Sequence, residues 1–272
     1  MPSPATPAAP PSRPLSGAKG NYTPSSVIRR GPLKDLPKRP PPDRHRFLTP
    51  RQVRELMNIE AFAEAKGTPF TAHLTLHWRC DPNFDPAEWG ARTTRCFDKL
   101  GRWLDRHGIP IAFAFVHEVG VQYGEHTHCL LHLPKAKRDV IASYHALKAE
   151  LEAWVIATEN LATDKLDPRG RPWPPVTVTP DKPHHFGMRT AKMRGGALAY
   201  LLKGIDPGDL AYRGNGAEPR AAAMGIKPRS STKPIEVQRY GASRTLGPKA
   251  RREAGWRELT SVEEFYARLK PE

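Results

Sequence analysis

The spacing of apolar residues changes several times along this chain, and each change predicts an element. LTPRQVRELMNIEAFAEA (residues 48–65) is amphipathic at helical spacing, with Thr49 placed to cap it and Pro50 at the first helical position. FTAHLTLHW (70–78) then alternates, with Ala72, Leu74, Leu76 and Trp78 on one face and His73, Thr75 and His77 on the other, which predicts a strand. Residues 86–107 return to helical spacing through Trp89, Cys96, Leu100, Trp103 and Leu104, and Gly108 and Pro110 end the run. IAFAFVHE (111–118) and HTHCLLHLP (126–134) read as two further strands joined by the loop VGVQYGE. A helix follows over about 136–161, with Val140, Ile141, Tyr144, Leu147, Leu151, Trp154 and Val155 as its buried stripe. PPVTVTP supplies a fourth strand, and Ala197–Lys203 a last helix. The order β-α-β-β-α-β is the ferredoxin-like, split-βαβ pattern. The expected fold is therefore α+β, an open antiparallel sheet with helices on one face and a polar, His-bearing face left open.

Composition divides the chain into segments. Residues 1–46 hold twelve of the 30 prolines among Ser, Gly and cations, too little apolar surface to offset chain entropy, so a disordered basic arm is expected there. The folded domain is expected over 47–205, and 206–272 reads as a basic C-terminal extension. Lys and Arg number 43 against 28 Asp and Glu, a formal charge of +15, which favours a polyanionic partner. No apolar run is long enough to span a membrane, and the N-terminal residues lack the apolar core of a signal peptide, so a cytoplasmic protein without a membrane partner is expected. Cys80, Cys96 and Cys129 lack metal-type spacing and are expected as free thiols.

The strand at 126–134 changes the picture most, because His126, His128 and His132 alternate through an otherwise apolar run. Two imidazoles two residues apart on a strand lie about 6–7 Å apart on one face, a spacing that suits one metal ion. His132 shares that face but lies roughly 20 Å from His126, too far for the same ion. The third ligand comes from the preceding strand, either His117 or Glu118. Pairing Glu118 with His126 gathers Phe113 and Phe115 with Cys129, Leu131 and Leu133, while Ala112, Ala114 and Val116 line the His face. That register selects Glu118, and two imidazoles with one carboxylate suit Mg²⁺ or Mn²⁺. In isolation, a His-x-His pair reads as satisfied surface histidines on an ordinary sheet; the neighbouring motifs are what favour a metal site.

Three motifs in order carry a resemblance. HLTLHW (73–78), HTHCLL (126–131) and YLLKG (200–204) resemble the motifs of the HUH endonucleases, specifically the replication initiators of rolling-circle plasmids and filamentous-phage-like elements. Two positions depart from that pattern: Thr127 stands where the group carries a bulky hydrophobic residue, and the first motif ends in His77 rather than Thr or Ser. The resemblance, spanning roughly residues 70–205, implies a metal-dependent nickase that uses Mg²⁺ or Mn²⁺ held by Glu118, His126 and His128. It implies Tyr200 as the nucleophile of a 5′-phosphotyrosine intermediate, with Lys203 beside it at i+3. The implied partner is single-stranded DNA at a replication origin, with a helicase and host replication proteins as further partners.

The charge is concentrated beside this tyrosine. From His184 to Arg257 there are fifteen Lys and Arg against five Asp and Glu, a composition that can track phosphates. His73, Thr75, His77, Tyr123, His132, Arg189, Lys192 and Arg194 are the expected DNA contacts, with Tyr123 and Trp173 able to stack on bases. Two alternatives remain open from sequence: a single-tyrosine transposase or relaxase with the same chemistry, and a non-catalytic single-strand binder whose histidines contact bases.

Overall fold

In the computed structural model, Thr49 caps the first helix as its sequence predicts. Its hydroxyl accepts from Gln52 N, and the Gln52 side chain accepts from Thr49 N, a reciprocal capping box that starts α1 (Pro50–Ala65). The structure describes residues 46–133 apart from Pro82, Gln122 and Tyr123, residues 174–180, and residues 198–269 apart from Gly214, Asn215, Gly225 and Ser230. Isolated positions between 145 and 170 complete the set. The arm expected over 1–46, save Arg46, and most of the helix expected over 136–161 lie outside the described residues.

Alternating patterns give β1 (Ala72–His77), β2 (Phe113–Gly120), β3 (Gly124–Leu131) and β4 (Val176–Pro180). Between β1 and β2 lies α2 (Trp89–Arg106), which buries Trp89, Cys96, Leu100, Trp103 and Leu104 as the spacing predicts, and Phe97 with them. Each such apolar side chain taken from water contributes about 1.5–3 kcal/mol. The sheet is antiparallel throughout, and its first four strands lie in the order β4-β1-β3-β2. Strand β3 thus separates β1 from β2, and β1 separates β3 from β4, which is the expected split arrangement.

The register of the β2–β3 hairpin is the one the pleat demands. Glu118 pairs with His126, Val116 with His128 and Ala114 with Leu130. Phe113, Phe115, Cys129 and Leu131 pack with α2 on one face, while Ala112, Ala114, Val116 and Leu130 belong to the other. A one-residue slip would exchange these sets and bury the imidazoles among aromatic rings. The hairpin turns into β3 at Gly124, whose φ of +57° lies in the left-handed region, with the Arg79 side chain packed where a Cβ would point.

Two expectations are corrected. The sheet is covered on both faces, because α1 and α3 (Leu198–Leu201) share a core with Ala114, Val116 and Leu130 on the histidine side. The expected open face failed because the periodicity of α1 fixes its apolar stripe but not the surface that the stripe meets. The boundary drawn at residue 205 also falls inside the fold. Tyr240–Ala242 adds an edge strand beside β2, and Leu246, Leu259, Val262 and Phe265 join the α1 core. A two-stranded ribbon, β5 (Leu210–Arg213) with β6 (Gly216–Pro219), precedes α4 (Arg220–Ala223). The edge strand, β7, then leads to α5 (Pro248–Glu253) and α6 (Val262–Leu269). No helix among the described residues is long and apolar enough to cross a membrane.

Candidate metal centre

The pleat puts His126 and His128 on one face of β3, and the register brings Glu118 across from β2. One ligand atom from each lies within 4.8 Å of the other two. Glu118 Oε2 stands 3.4 Å from His128 Nε2 and 3.7 Å from His126 Nε2. Neighbouring groups fix which nitrogens face inward. His126 Nδ1 is 2.8 Å from the Gly124 carbonyl, which can only accept, so Nδ1 carries the proton and Nε2 the lone pair. Lys203 Nζ, which can only donate, is 3.2 Å from His128 Nε2 and 2.7 Å from Glu118 Oε2. His128 Nε2 is therefore also a lone pair, and Nδ1 is held by Thr75 Oγ1 at 3.1 Å and His73 Nε2 at 3.2 Å. Hydrogen bonds on the far nitrogen of an imidazole are what orient a ligating histidine.

Electrostatics keep these groups in their ligand forms. Burial opposes the Glu118 carboxylate, yet the Lys203 ammonium, donating to it at 2.7 Å, holds its pKa well below the usual carboxylate range. Burial, with Lys203 and other imidazoles adding to it, drives His128 well below its ordinary value despite Glu118. It lowers His73, His77 and His117 to about 3. Those four imidazoles are neutral at pH 7 and the Glu118 carboxylate is charged, the forms that metal binding requires. The ammonium of Lys203 already sits among the three donors as a cation, so the residues present fit a metal ion.

Tyr200 and Lys203 reach this cluster from α3 and the tighter 3-10 turn at Leu202–Gly204. In such a turn residues i and i+3 eclipse, and Lys203 Nζ stands 4.1 Å from the centre of the Tyr200 ring. That ring meets His73 and His128 edge-on, each at 4.7 Å between centroids. Leu198, Leu201 and Leu202 bury the opposite side of the turn, while Tyr200 is 39% exposed. Leu48 N donates to the Gly204 carbonyl and Arg229 N to that of Lys203, pinning the turn from two directions.

Thr127, between the two ligands, points to the opposite face and is fully buried. Its hydroxyl accepts from the Trp78 indole at 2.7 Å and the Trp89 indole at 3.1 Å, and lies 2.8 Å from His117 Nδ1. With two donors already on its oxygen, the hydroxyl gives its own proton to His117, which uses its full capacity. The side chain between the two imidazoles thus ties β3 to α2 and β2.

The other expected residues divide into three groups. His73 and Thr75 are bonded to His128, and His77 stacks on His126 with centroids 6.1 Å apart. His132 is buried with Nδ1 2.8 Å from the Pro69 carbonyl, away from the cluster. Tyr123, Trp173, Arg189, Lys192 and Arg194 lie outside the described residues. Sequence reasoning missed Thr127 as a three-way partner and missed Arg239, a buried guanidinium just before β7. Nothing local marks Arg239, because the strand it precedes is only three residues long. No family model, curated protein or solved structure matches the chain.

Proposed function

We propose that this protein nicks and rejoins single-stranded DNA through a 5′-phosphotyrosine intermediate, as an initiator of rolling-circle replication. The observation that carries the reading is the packing of an exposed tyrosine and its i+3 lysine against a buried Glu118–His126–His128 cluster. The +15 net charge suits a polyanionic substrate. Burial of His73, His77, His126 and His128, each 9% exposed or less, weighs against a binder that reads bases with these rings. An origin strand, with a helicase and host replication proteins, completes the proposed partner set.

Mg²⁺ or Mn²⁺ held by Glu118, His126 and His128 would act as a Lewis acid on the non-bridging phosphate oxygens. Tyr200 supplies the nucleophile: its phenolic oxygen bonds to phosphorus, its proton leaves to solvent, and the P–O3′ bond breaks. The 3′ oxygen takes up a proton and leaves as a hydroxyl, while the 5′ phosphate stays on Tyr200. Attack by a 3′-hydroxyl on that link reverses the step and rejoins the strand. Lys203, donating to Glu118 and lying over the phenol ring, supplies a positive charge for the developing phosphate charge. The Thr75 and His73 contacts hold the His128 ring in place.

The test is covalent capture of single-stranded oligonucleotides with Mn²⁺ on a denaturing gel. Wild type is expected to form an adduct that maps to Tyr200, and Tyr200→Phe, which loses only the hydroxyl, none. Tyr240→Phe retains the adduct, since that phenol lies on the edge strand beside Val116 and has Ser243, not a lysine, three residues on. His126→Ala abolishes nicking and His132→Ala keeps most of it. A nucleotide mapped to another tyrosine sinks the assignment, and no adduct with any strand or divalent metal removes the nuclease reading.

A further inference from the structure

We infer that Arg239 is the anion clamp of this site, taking the non-bridging oxygens of a nucleic-acid phosphate seated against the Lys203–Gly204 turn. The inference rests on the transesterase reading of the site. Arg239 is 4% exposed, and its Nε and Nη1 have no hydrogen-bond partner among the described residues. Guanidinium cannot discard its charge as an imidazole can, and burial lowers its pKa only to about 10, with Glu118 opposing the shift. An unpaired buried cation is expensive, and the fold carries this one beside its cluster of reactive groups.

The backbone fixes where the charge sits. The Arg239 carbonyl accepts from His117 N at 2.8 Å, one residue before the ligand Glu118, and Tyr240 pairs with Val116. The guanidinium then reaches the end of the Tyr200–Lys203 turn. A Cβ on Gly204 would stand 2.7 Å from Nη2, so a glycine directly after Lys203 lets the group lie there undisturbed. Glu118 is the carboxylate of the cluster, and it already binds Lys203 at 2.7 Å. Two cations therefore face one carboxylate among neutral imidazoles, and a metal ion would widen the excess. The missing partner is an oxyanion. A planar fork of N–H donors matches two oxygens of one phosphate better than a point charge does.

The experiment compares wild type with Arg239→Met, which keeps the stem and removes the charge, in a buffer containing Mg²⁺. Inorganic phosphate is titrated and the melting temperature followed, beside the affinity for Mn²⁺. Wild type is expected to rise in Tm with phosphate. Arg239→Met should start no lower than wild type, because an unpaired charge has gone, and bind Mn²⁺ normally. Its apparent phosphate affinity should fall roughly tenfold or more, the worth of a charge-assisted hydrogen bond. If that variant does not fold, Arg239→Lys keeps the charge without the fork and should lose several-fold in the same titration. A phosphate response equal to wild type in whichever variant folds overturns the proposal. So does a lowered starting Tm with the response intact, which would make Arg239 a structural residue. The readout is independent of cleavage: a response lost in Arg239→Met while wild type forms no DNA adduct keeps the anion site and removes the nuclease reading alone.

Discussion

Replacing Thr127 by valine preserves the shape of a fully buried side chain and deletes one hydroxyl. Three groups lose their shared partner: the indoles of Trp78 and Trp89, at 2.7 and 3.1 Å, and His117 Nδ1, at 2.8 Å. A buried polar group left unpaired costs about 1–2 kcal/mol, so the three together cost about 3–6 kcal/mol. That is a large share of the roughly 5–15 kcal/mol by which a domain is stable. At about 2–4 °C per kcal/mol for a chain of this size, Tm should fall by roughly 6–24 °C. Urea unfolding with an unchanged slope would assign the loss to the folded state. Because Thr127 lies between His126 and His128, Mn²⁺ affinity should weaken as well, within the roughly 10–100-fold range seen when groups behind metal ligands are removed. Thr127→Ser, which keeps the hydroxyl and loses a methyl, should cost only about 1 kcal/mol. A Thr127→Val protein within about 1 kcal/mol of wild type would refute the shared-hydroxyl account, since three orphaned groups cannot sum to so little.

Lys203→Met should bind Mn²⁺ several-fold more tightly by calorimetry, because its ammonium no longer competes for Glu118 and His128; an unchanged affinity would mean that the lysine does not occupy the metal position. Stability should also fall in mild acid. His73, His77 and His117 have folded pKa values near 3 against 6.5 when unperturbed, so below about pH 6.5 the unfolded chain takes up protons that the folded state refuses. Their contribution is complete above pH 6.5 and is lost as pH falls toward 3, at about 1.4 kcal/mol per pH unit for one histidine alone. Urea midpoints at pH 7, 6 and 5 would check this, and a constant midpoint would contradict it.

The parts of the fold visible in the sequence are those where alternation carries size as well as polarity. Phe113 and Phe115 against Ala112, Ala114 and Val116 select one hairpin register, and that register alone brings Glu118 to His126. Thr49 and Pro50 announce α1 just as plainly. What covers the sheet was not legible, because an amphipathic stripe states that a face is buried and leaves its partner unstated. The edge strand was hidden for another reason: Tyr240–Ala242 is too short to show a period, and its partner in β2, Ala114–Val116, lies more than a hundred residues earlier. Within the site, ligand types and spacing were readable. The bonds of Thr75 and His73 to His128 were not, since they join strands more than fifty residues apart.

Thr127 and His77 flank the His126–His128 pair from opposite faces of the sheet. His77 stacks on His126 on the ligand side, and Thr127 anchors the backbone between the ligands from the other side. Both restrain the strand that must hold two imidazoles in register. Lys203 is restrained differently, by contacts of 2.7 Å to Glu118 and 3.2 Å to His128 and by the Tyr200 ring. A divalent cation on that carboxylate would repel the ammonium, so Lys203 is the neighbour whose position responds most to what the three donors hold. A lysine so repelled would keep the Tyr200 ring as its neighbour and would carry its charge toward the phosphate at which the proposed chemistry builds up negative charge. The rigid strand and the displaceable lysine would thus be complementary in the proposed chemistry: one would fix where the phosphate is held, the other would make the side of Tyr200 most positive only when the three donors are filled.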